Sequence, residues 1–183
     1  MIDLAITADH IRATINDYVD EHPDEKPALA PVLALLDDGA DLASRKEFRG
    51  HATAGAILTR PDGSILHIHH LALDKWLLPG GHLEPQDDTL LDAALRELTE
   101  ETGIPAEAVT AAADRPVHID VHPIPANGAK GEPDHQHIDF RFLFRTTADV
   151  HNLQTEEVTD AAWCDVEALT DERLRRHVAA AIR

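Results

Sequence analysis

The sequence predicts an α/β fold, a mixed sheet carrying helices, preceded by a helical extension. Three observations point there. Apolar residues recur at helical spacing before residue 45 and again from Leu91 to Leu98. Elsewhere the period falls to two, most cleanly from His137 to Phe144. A glycine pair, Gly80-Gly81, separates strand-like from helix-like sequence. A length of 183 residues with 43% hydrophobic content suits one domain with a real core. Residues 1–45 are read as an extension packing on that domain, and 46–183 as its main body.

In chain order, Ala8 to Val19 places Ile11, Ile15 and Val19 on one helical stripe, with Asp9 near its start and Pro23 breaking it. Pro27 to Leu36 reads as a second helix through Leu29, Val32, Leu33 and Leu36. No catalytic pattern occurs here, so this part packs, serves as a dimer arm, or covers a site as a lid. Ala52–Thr59 and Ser64–His70 read as strands joined by an Asp62-Gly63 hairpin turn. A short strand over Lys75–Leu78 leads into the glycine pair. The next helix carries Leu91, Leu95 and Leu98, with Asp87 or Asp88 as cap and Gly103 at its end. Val117–Val121 is a strand and Pro123–Asp134 a loop. From His137 to Phe144, Ile138, Phe140, Phe142 and Phe144 share one face; His137, Asp139, Arg141 and Leu143 share the other. Val158–Cys164 is a last strand around Trp163, and Asp171–Ile182 a closing amphipathic helix.

Charge and composition exclude several classes. A net charge of −18 opposes binding to nucleic acid polymers or anionic membranes, which takes clustered Lys and Arg. No run of 18 apolar residues is present, and the first ten residues lack a signal-peptide pattern. The single Cys164 leaves no internal disulfide, so a cytoplasmic location is expected. Thirteen histidines are an unusual number, able to add positive charge as the pH falls toward 6.5.

The densest chemistry lies in Arg96-Glu97-x-x-Glu100-Glu101-x-Gly103. On a helix the three glutamates share a face spanning about 100° of arc. Like charges so close repel, and a divalent cation relieves them; carboxylate oxygens suit Mg2+ or Mn2+. Alone, this spacing also describes a solvated acidic helix face. The flanks decide the matter. With Leu78-Pro79-Gly80-Gly81 ahead of it and Gly103-Ile104 behind, the segment resembles the Nudix box of the Nudix hydrolase family. The distance from Gly81 to Arg96 is one residue longer than the family pattern, and the extra residue is placed in the Glu84–Asp88 loop. Asp87 (counting forward from Gly81) or Asp88 (counting back from Arg96) therefore stands where the family has its first glutamate.

The resemblance implies an α/β/α sandwich with a mixed sheet. It implies hydrolysis of a nucleoside diphosphate linked to another moiety, by water attacking phosphorus with Mg2+ or Mn2+ as cofactor. The implied metal ligands are Glu97, Glu100, Glu101 and the Gly80 carbonyl. Glu97 or Glu100 activates the water, unless the base comes from an outside loop, where Glu156 and Glu157 are the candidates. Arg96 orients the acids through Asp88 or Glu97, and Glu84 supports the metal shell. Trp76 either stacks on a base or packs. Two strands place His118, Asp120 and His122, and His137, Asp139 and Arg141, on single faces, as do His67 and His69 on theirs. These sets are polar strand faces, substrate-phosphate contacts, or ligands of a second metal. The substrate-binding candidates are thus Trp76, Glu84, His137, Asp139, Arg141 and Glu157. The expected partner is a small nucleotide, a nucleoside triphosphate or nucleotide sugar by default, with a second copy of the chain as a further candidate. A nucleotide sensor without turnover is the alternative; an isomerase with a cysteine ahead of the box ranks last, because Cys164 follows it.

Overall fold

A computed structural model describes residues 5–150 and 156–183. Residues 1–4 of the predicted extension and 151–155 of the predicted main body lie outside the described residues. Helix α1 (Ala8–Glu21) is capped by Thr7, whose hydroxyl accepts from the His10 amide, and it buries Ile11, Ile15, Tyr18 and Val19. Pro23 opens a single 3-10 turn, Pro23–Glu25, rather than a gap, and α2 (Lys26–Asp37) follows directly. Leu29, Val32 and Leu36 of α2 join one hydrophobic cluster with Ala54, Leu98 and Phe140 of the main body. Tyr18 donates to Glu25 Oε2 at 2.7 Å, and His177 Nε2 lies 3.2 Å from Glu25 Oε1.

Among the described residues, eight strands form one sheet. They are β1 (His51–Thr59), β2 (Ile65–His70), β3 (Lys75–Leu77), β4 (Gly80–His82), β5 (Val109–Ala111), β6 (His118–Ile124), β7 (His135–Thr146) and β8 (Val158–Cys164). The main path runs β3-β2-β1-β7-β5; β4 pairs with β1, β6 with β7, and β8 with β2. Only β1 and β7 run parallel, so the sheet is mixed. β1 is buried at all nine positions, as a strand covered on both faces must be. Ala52, Ala54, Ala56 and Leu58, with Ile138, Phe140, Phe142 and Phe144, face α3 (Leu90–Thr102) and the extension. Ile57 and Leu143 face Leu174 and Val178 of α4 (Glu172–Ala181). This is the α/β/α sandwich. Among the described residues, no helix is long and apolar enough to cross a membrane.

Several local expectations are corrected. Strands β4 and β5 are three residues each, too short to show a period. β6 runs through Pro123 to Ile124, two residues into the predicted loop. A proline is tolerated there because β6 is an edge strand, pairing with β7 alone among the described residues. The cap of α3 is Thr89, not Asp87 or Asp88: its hydroxyl accepts from Asp92 N at 3.1 Å and donates to Asp92 Oδ2 at 2.8 Å. The buried side of α3 is Leu90, Ala93, Ala94, Leu98, Glu101 and Thr102, with Leu91 and Leu95 half-buried. Alanines on the helix meet alanines on β1, so helix and sheet approach closely and the buried stripe is rotated from the leucine stripe. Gly103 ends the helix with φ 70°, the left-handed turn expected of it.

Candidate active site

The site begins with a steric requirement. β4 runs antiparallel to β1, pairing Gly80 with Gly55, Gly81 with Ala54 and His82 with Thr53. A Cβ on Gly80 would lie 2.8 Å from the Ala54 carbonyl oxygen and 2.9 Å from Gly55 Cα. A Cβ on Gly81 would lie 2.5 Å from Glu97 Oε1. One glycine therefore lets two backbones meet, and the next leaves the space that a carboxylate fills.

On α3 that carboxylate belongs to a tight charge network. The Arg96 guanidinium donates through Nε to Asp87 Oδ1 at 2.8 Å and through Nη2 to Asp87 Oδ2 at 2.9 Å. Nη2 also reaches the His82 carbonyl at 2.9 Å, and Nη1 reaches Glu97 at 3.0 Å and Glu100 at 3.2 Å. Asp87 is 3% exposed whereas Asp88 is exposed, so Asp87 is the acid facing Arg96. The backbone fixes it there: Glu84 N donates to Asp87 Oδ2 at 2.8 Å, and Asp87 N to the Glu84 carbonyl at 3.0 Å. The bidentate pair with Asp87, foremost, raises the Arg96 pKa, keeping it charged.

The glutamates differ in setting. Glu101 is only 3% exposed and accepts from Gly80 N at 3.0 Å. Burial, reinforced by the charges of Glu97, Glu157 and Glu100 and opposed by that amide, pushes its pKa up to about 8. Burial also raises Glu97, against the pull of Arg96. Glu100 has a side chain 48% exposed and is the open member of the set. Glu97 and Glu100 thus share one guanidinium already engaged by Asp87, and Glu101 has only the Gly80 amide. An all-oxygen donor set with uncompensated buried charge fits a hard divalent cation. It does not fit a solvated helix face, because Glu97 and Glu101 point at β4 rather than at water.

The outlying candidates fall in different places. Glu157 is exposed just before β8, and its charge acts on both Glu97 and Glu101; Glu156 is exposed beside it. Glu84 stands 3.8 Å from Arg96. Trp76 lies on β3, 47% exposed, edge-on to the His69 ring at 5.3 Å, and so is not a core-packing residue. His67 and His69 sit on β2 with β8 as neighbour, apart from the other histidine sets.

The two remaining sets converge. β6 and β7 place His122 opposite His137, Asp120 opposite Asp139, and His118 opposite Arg141. β1 adds His51, Thr53 and Gly55 in the same three rows. Thr53 donates to Asp139 Oδ1 at 3.1 Å, and Arg141 Nε donates to Asp139 Oδ2 at 2.8 Å. Asp120 lies 3.7 Å from Arg141, so its charge is largely answered within the strands. The His122 hydrogen bond, then Arg141, hold Asp120 below the usual carboxylate range. Sequence reading missed His51, His82 and His135, which gather around His137. The signal was faint: β1 begins at His51 and β7 at His135, one and two residues before the strands seemed to start.

The chain is similar to known proteins over most of its length. The family model described as NUDIX domain matches residues 49–182. A protein of Lactococcus lactis subsp. cremoris (strain MG1363), named probable DHNTP pyrophosphohydrolase, is 34% identical over 135 residues, 70% of this chain and 74% of that protein. Phosphatase NudJ of Escherichia coli (strain K12) is 42% identical over 62 residues, 33% of this chain and 39% of its own length. In fold, a NUDIX-family hydrolase from Clostridium perfringens superposes with a TM-score of 0.54 at 22% identity, covering 72% of this chain and 95% of its own. The match across most of the chain, on a box whose glycines and acids interlock as described, places the chain in the Nudix hydrolase family.

Proposed function

We propose that this chain hydrolyses a pyrophosphate bond in a nucleoside diphosphate linked to another moiety, using Mg2+ or Mn2+. The observation that carries it is the burial of Glu97 and Glu101 against the Gly80-Gly81 strand, with Arg96 bound to Glu97 and only a backbone amide on Glu101. Glu97, Glu100, Glu101 and the Gly80 carbonyl would hold the cation. When bound, it neutralises the diphosphate and makes water a better nucleophile. Glu100, open to solvent, or Glu97 beside it, takes the proton as water adds to phosphorus and the P–O–P bond breaks. Glu157 is the outside candidate for the same task. Arg96 is a positioning residue: it ties Glu97 and Glu100 to Asp87 and to the His82 carbonyl, so the acids keep one geometry. Asp139 and Arg141, with Trp76 and Glu84 at the margins, supply the substrate contacts. In this reading residues 46–183 carry the hydrolase and residues 1–45 pack upon it.

The substrate panel takes nucleoside triphosphates and nucleotide sugars as the default and adds DHNTP from the name of the Lactococcus relative. Turnover with Mg2+ or Mn2+ on at least one compound, cut by about 10²-fold or more in Glu100→Gln, is the expected result. Tight nucleotide binding with no turnover across the panel would favour a sensor instead. Equal activity in Glu100→Gln would remove Glu100 from the machinery.

A further inference from the structure

Five histidines crowd together where β1, β4, β6 and β7 meet, on strands beside the carboxylate site but with different donor chemistry. The His51 and His135 rings stack at 4.8 Å, and His137 lies 4.9 Å from His51 and 5.1 Å from His135. His82 stands 5.2 Å from both His51 and His137, and His122 5.7 Å from His137. One donor nitrogen from each of His51, His135 and His137 falls within 4.8 Å of the other two.

The tautomers are set by the backbone. His51 Nδ1 donates to the Glu47 carbonyl at 3.1 Å, and His135 Nδ1 donates to the Pro133 carbonyl at 2.8 Å. Each therefore turns a bare Nε2 inward, the arrangement by which an outer carbonyl orients a metal-ligating imidazole. His51 is 2% exposed, and its Nε2 has no hydrogen-bond partner among the described residues. A buried nitrogen lone pair aimed at two other imidazoles and satisfied by nothing is the independent mark of a missing ligand. His135 Nε2 and His137 Nε2 are 3.3 Å apart. Two nitrogens at about 2.0–2.1 Å from one tetrahedral ion sit at about that separation. All three donor atoms lie within 4.8 Å of one another, at most about 1.5 Å beyond that separation.

We propose that His51, His135 and His137 form a second cation site, for a borderline divalent transition ion of the zinc class. Imidazole nitrogen favours such ions, whereas the carboxylates of α3 favour Mg2+ or Mn2+, so one chain sorts two metals by donor type. Three protein ligands leave a fourth tetrahedral position for water or an anionic oxygen. An ion here would pin β1 to β7. It would also touch the nucleotide site through His82, whose carbonyl holds Arg96 while its ring faces the cluster.

The test is binding, not hydrolysis, so it stands or falls apart from the proposed activity. Metal-free full-length protein is titrated with Zn2+ by calorimetry in excess Mg2+, and zinc-soaked crystals are mapped at the zinc absorption edge. One equivalent of zinc bound despite Mg2+, an anomalous peak between the three Nε2 atoms, and at least tenfold weaker binding in His51→Gln and His135→Gln are expected. Because buried variants can fail to fold, the wild-type anomalous map decides the location by itself. The proposal is overturned if folded wild type takes up no zinc in Mg2+, or if the zinc peak lies only among Glu97, Glu100 and Glu101.

Discussion

Asp87 and Asp88 carry the same side chain one position apart, and their surroundings make them unlike. Asp87 is buried with both oxygens on Arg96, and Asp88 is exposed. Removing one partner of a buried pair leaves the other charge uncompensated, at about 3–5 kcal/mol. Arg96 keeps Glu97, Glu100 and the His82 carbonyl, so Asp87→Asn is expected at the low end, about 3 kcal/mol by urea unfolding. Asp88→Asn should stay within about 0.5 kcal/mol, as exposed substitutions do. Equal effects would return the box register to the count from Arg96. The glycines separate in the same way. Gly80→Ala sets a Cβ against immobile backbone and should cost about 1–3 kcal/mol of stability. Gly81→Ala meets only the end of Glu97, which can swing aside. It should cost less stability and more Mg2+ affinity, read by melting and by metal titration on the same two proteins.

Among the elements, α3 has a start that propensity alone did not identify. Thr89 and Asp92 satisfy each other across the first turn. Thr89→Ala should cost about 1 kcal/mol, seen in a chain of this length as a fall in Tm of about 2–4 °C. Aspartates at 87 and 88 looked like caps because acids suit a helix start, yet Asp87 was already engaged by Arg96. That reveals where sequence reading reaches and where it stops. Periodicity found α1, α2, α3, α4 and the strands β1, β2, β6, β7 and β8, which are long enough to hold one, while β3, with three residues, was read from its place ahead of the glycine pair. It missed β4 and β5, whose three residues hold no period. β4 forms because Gly80 and Gly81 fit against β1, a tertiary cause with no local trace. The acids of the site were legible because their spacing is local to one helix. The pairing of Arg96 with Glu97 was legible too, but its pairing with Asp87 and the histidine cluster were not, since the first depends on how the loop before α3 folds and the second on strands brought together across the fold.

At the scale of the whole molecule, the many histidines make stability depend on pH. Burial, first among the causes, holds His51, His67, His82, His118 and His137 below the ordinary value, to about 4 for His82 and about 3 for His137. The unfolded chain takes up protons at these positions as the pH falls through 6.5. From there down to the folded values it binds more protons than the native state, so their contribution to stability is complete above pH 6.5 and lost progressively below it. Glu101 acts in the opposite sense. Its folded pKa of about 8 lies above the unfolded value of 4.5, so its burial costs most above pH 8 and is relieved as the pH falls toward 4.5. Metal-free protein should therefore be most stable near pH 7, where the proton taken up by the five unfolded histidines together balances the one held by native Glu101. Melting in EDTA across about pH 8.5 to 4.5 measures this curve. His67 isolates the histidine arm: it is buried on β2, bonded among the described residues to the Ile65 carbonyl alone, and apart from the carboxylates and the histidine cluster. In His67→Gln the Tm should fall less steeply below pH 6.5 than in wild type, while the limb above pH 7 keeps its slope. A wild-type Tm that climbs steadily down to pH 5, or a His67→Gln curve parallel to it throughout, would show that the histidines are not held neutral by the fold.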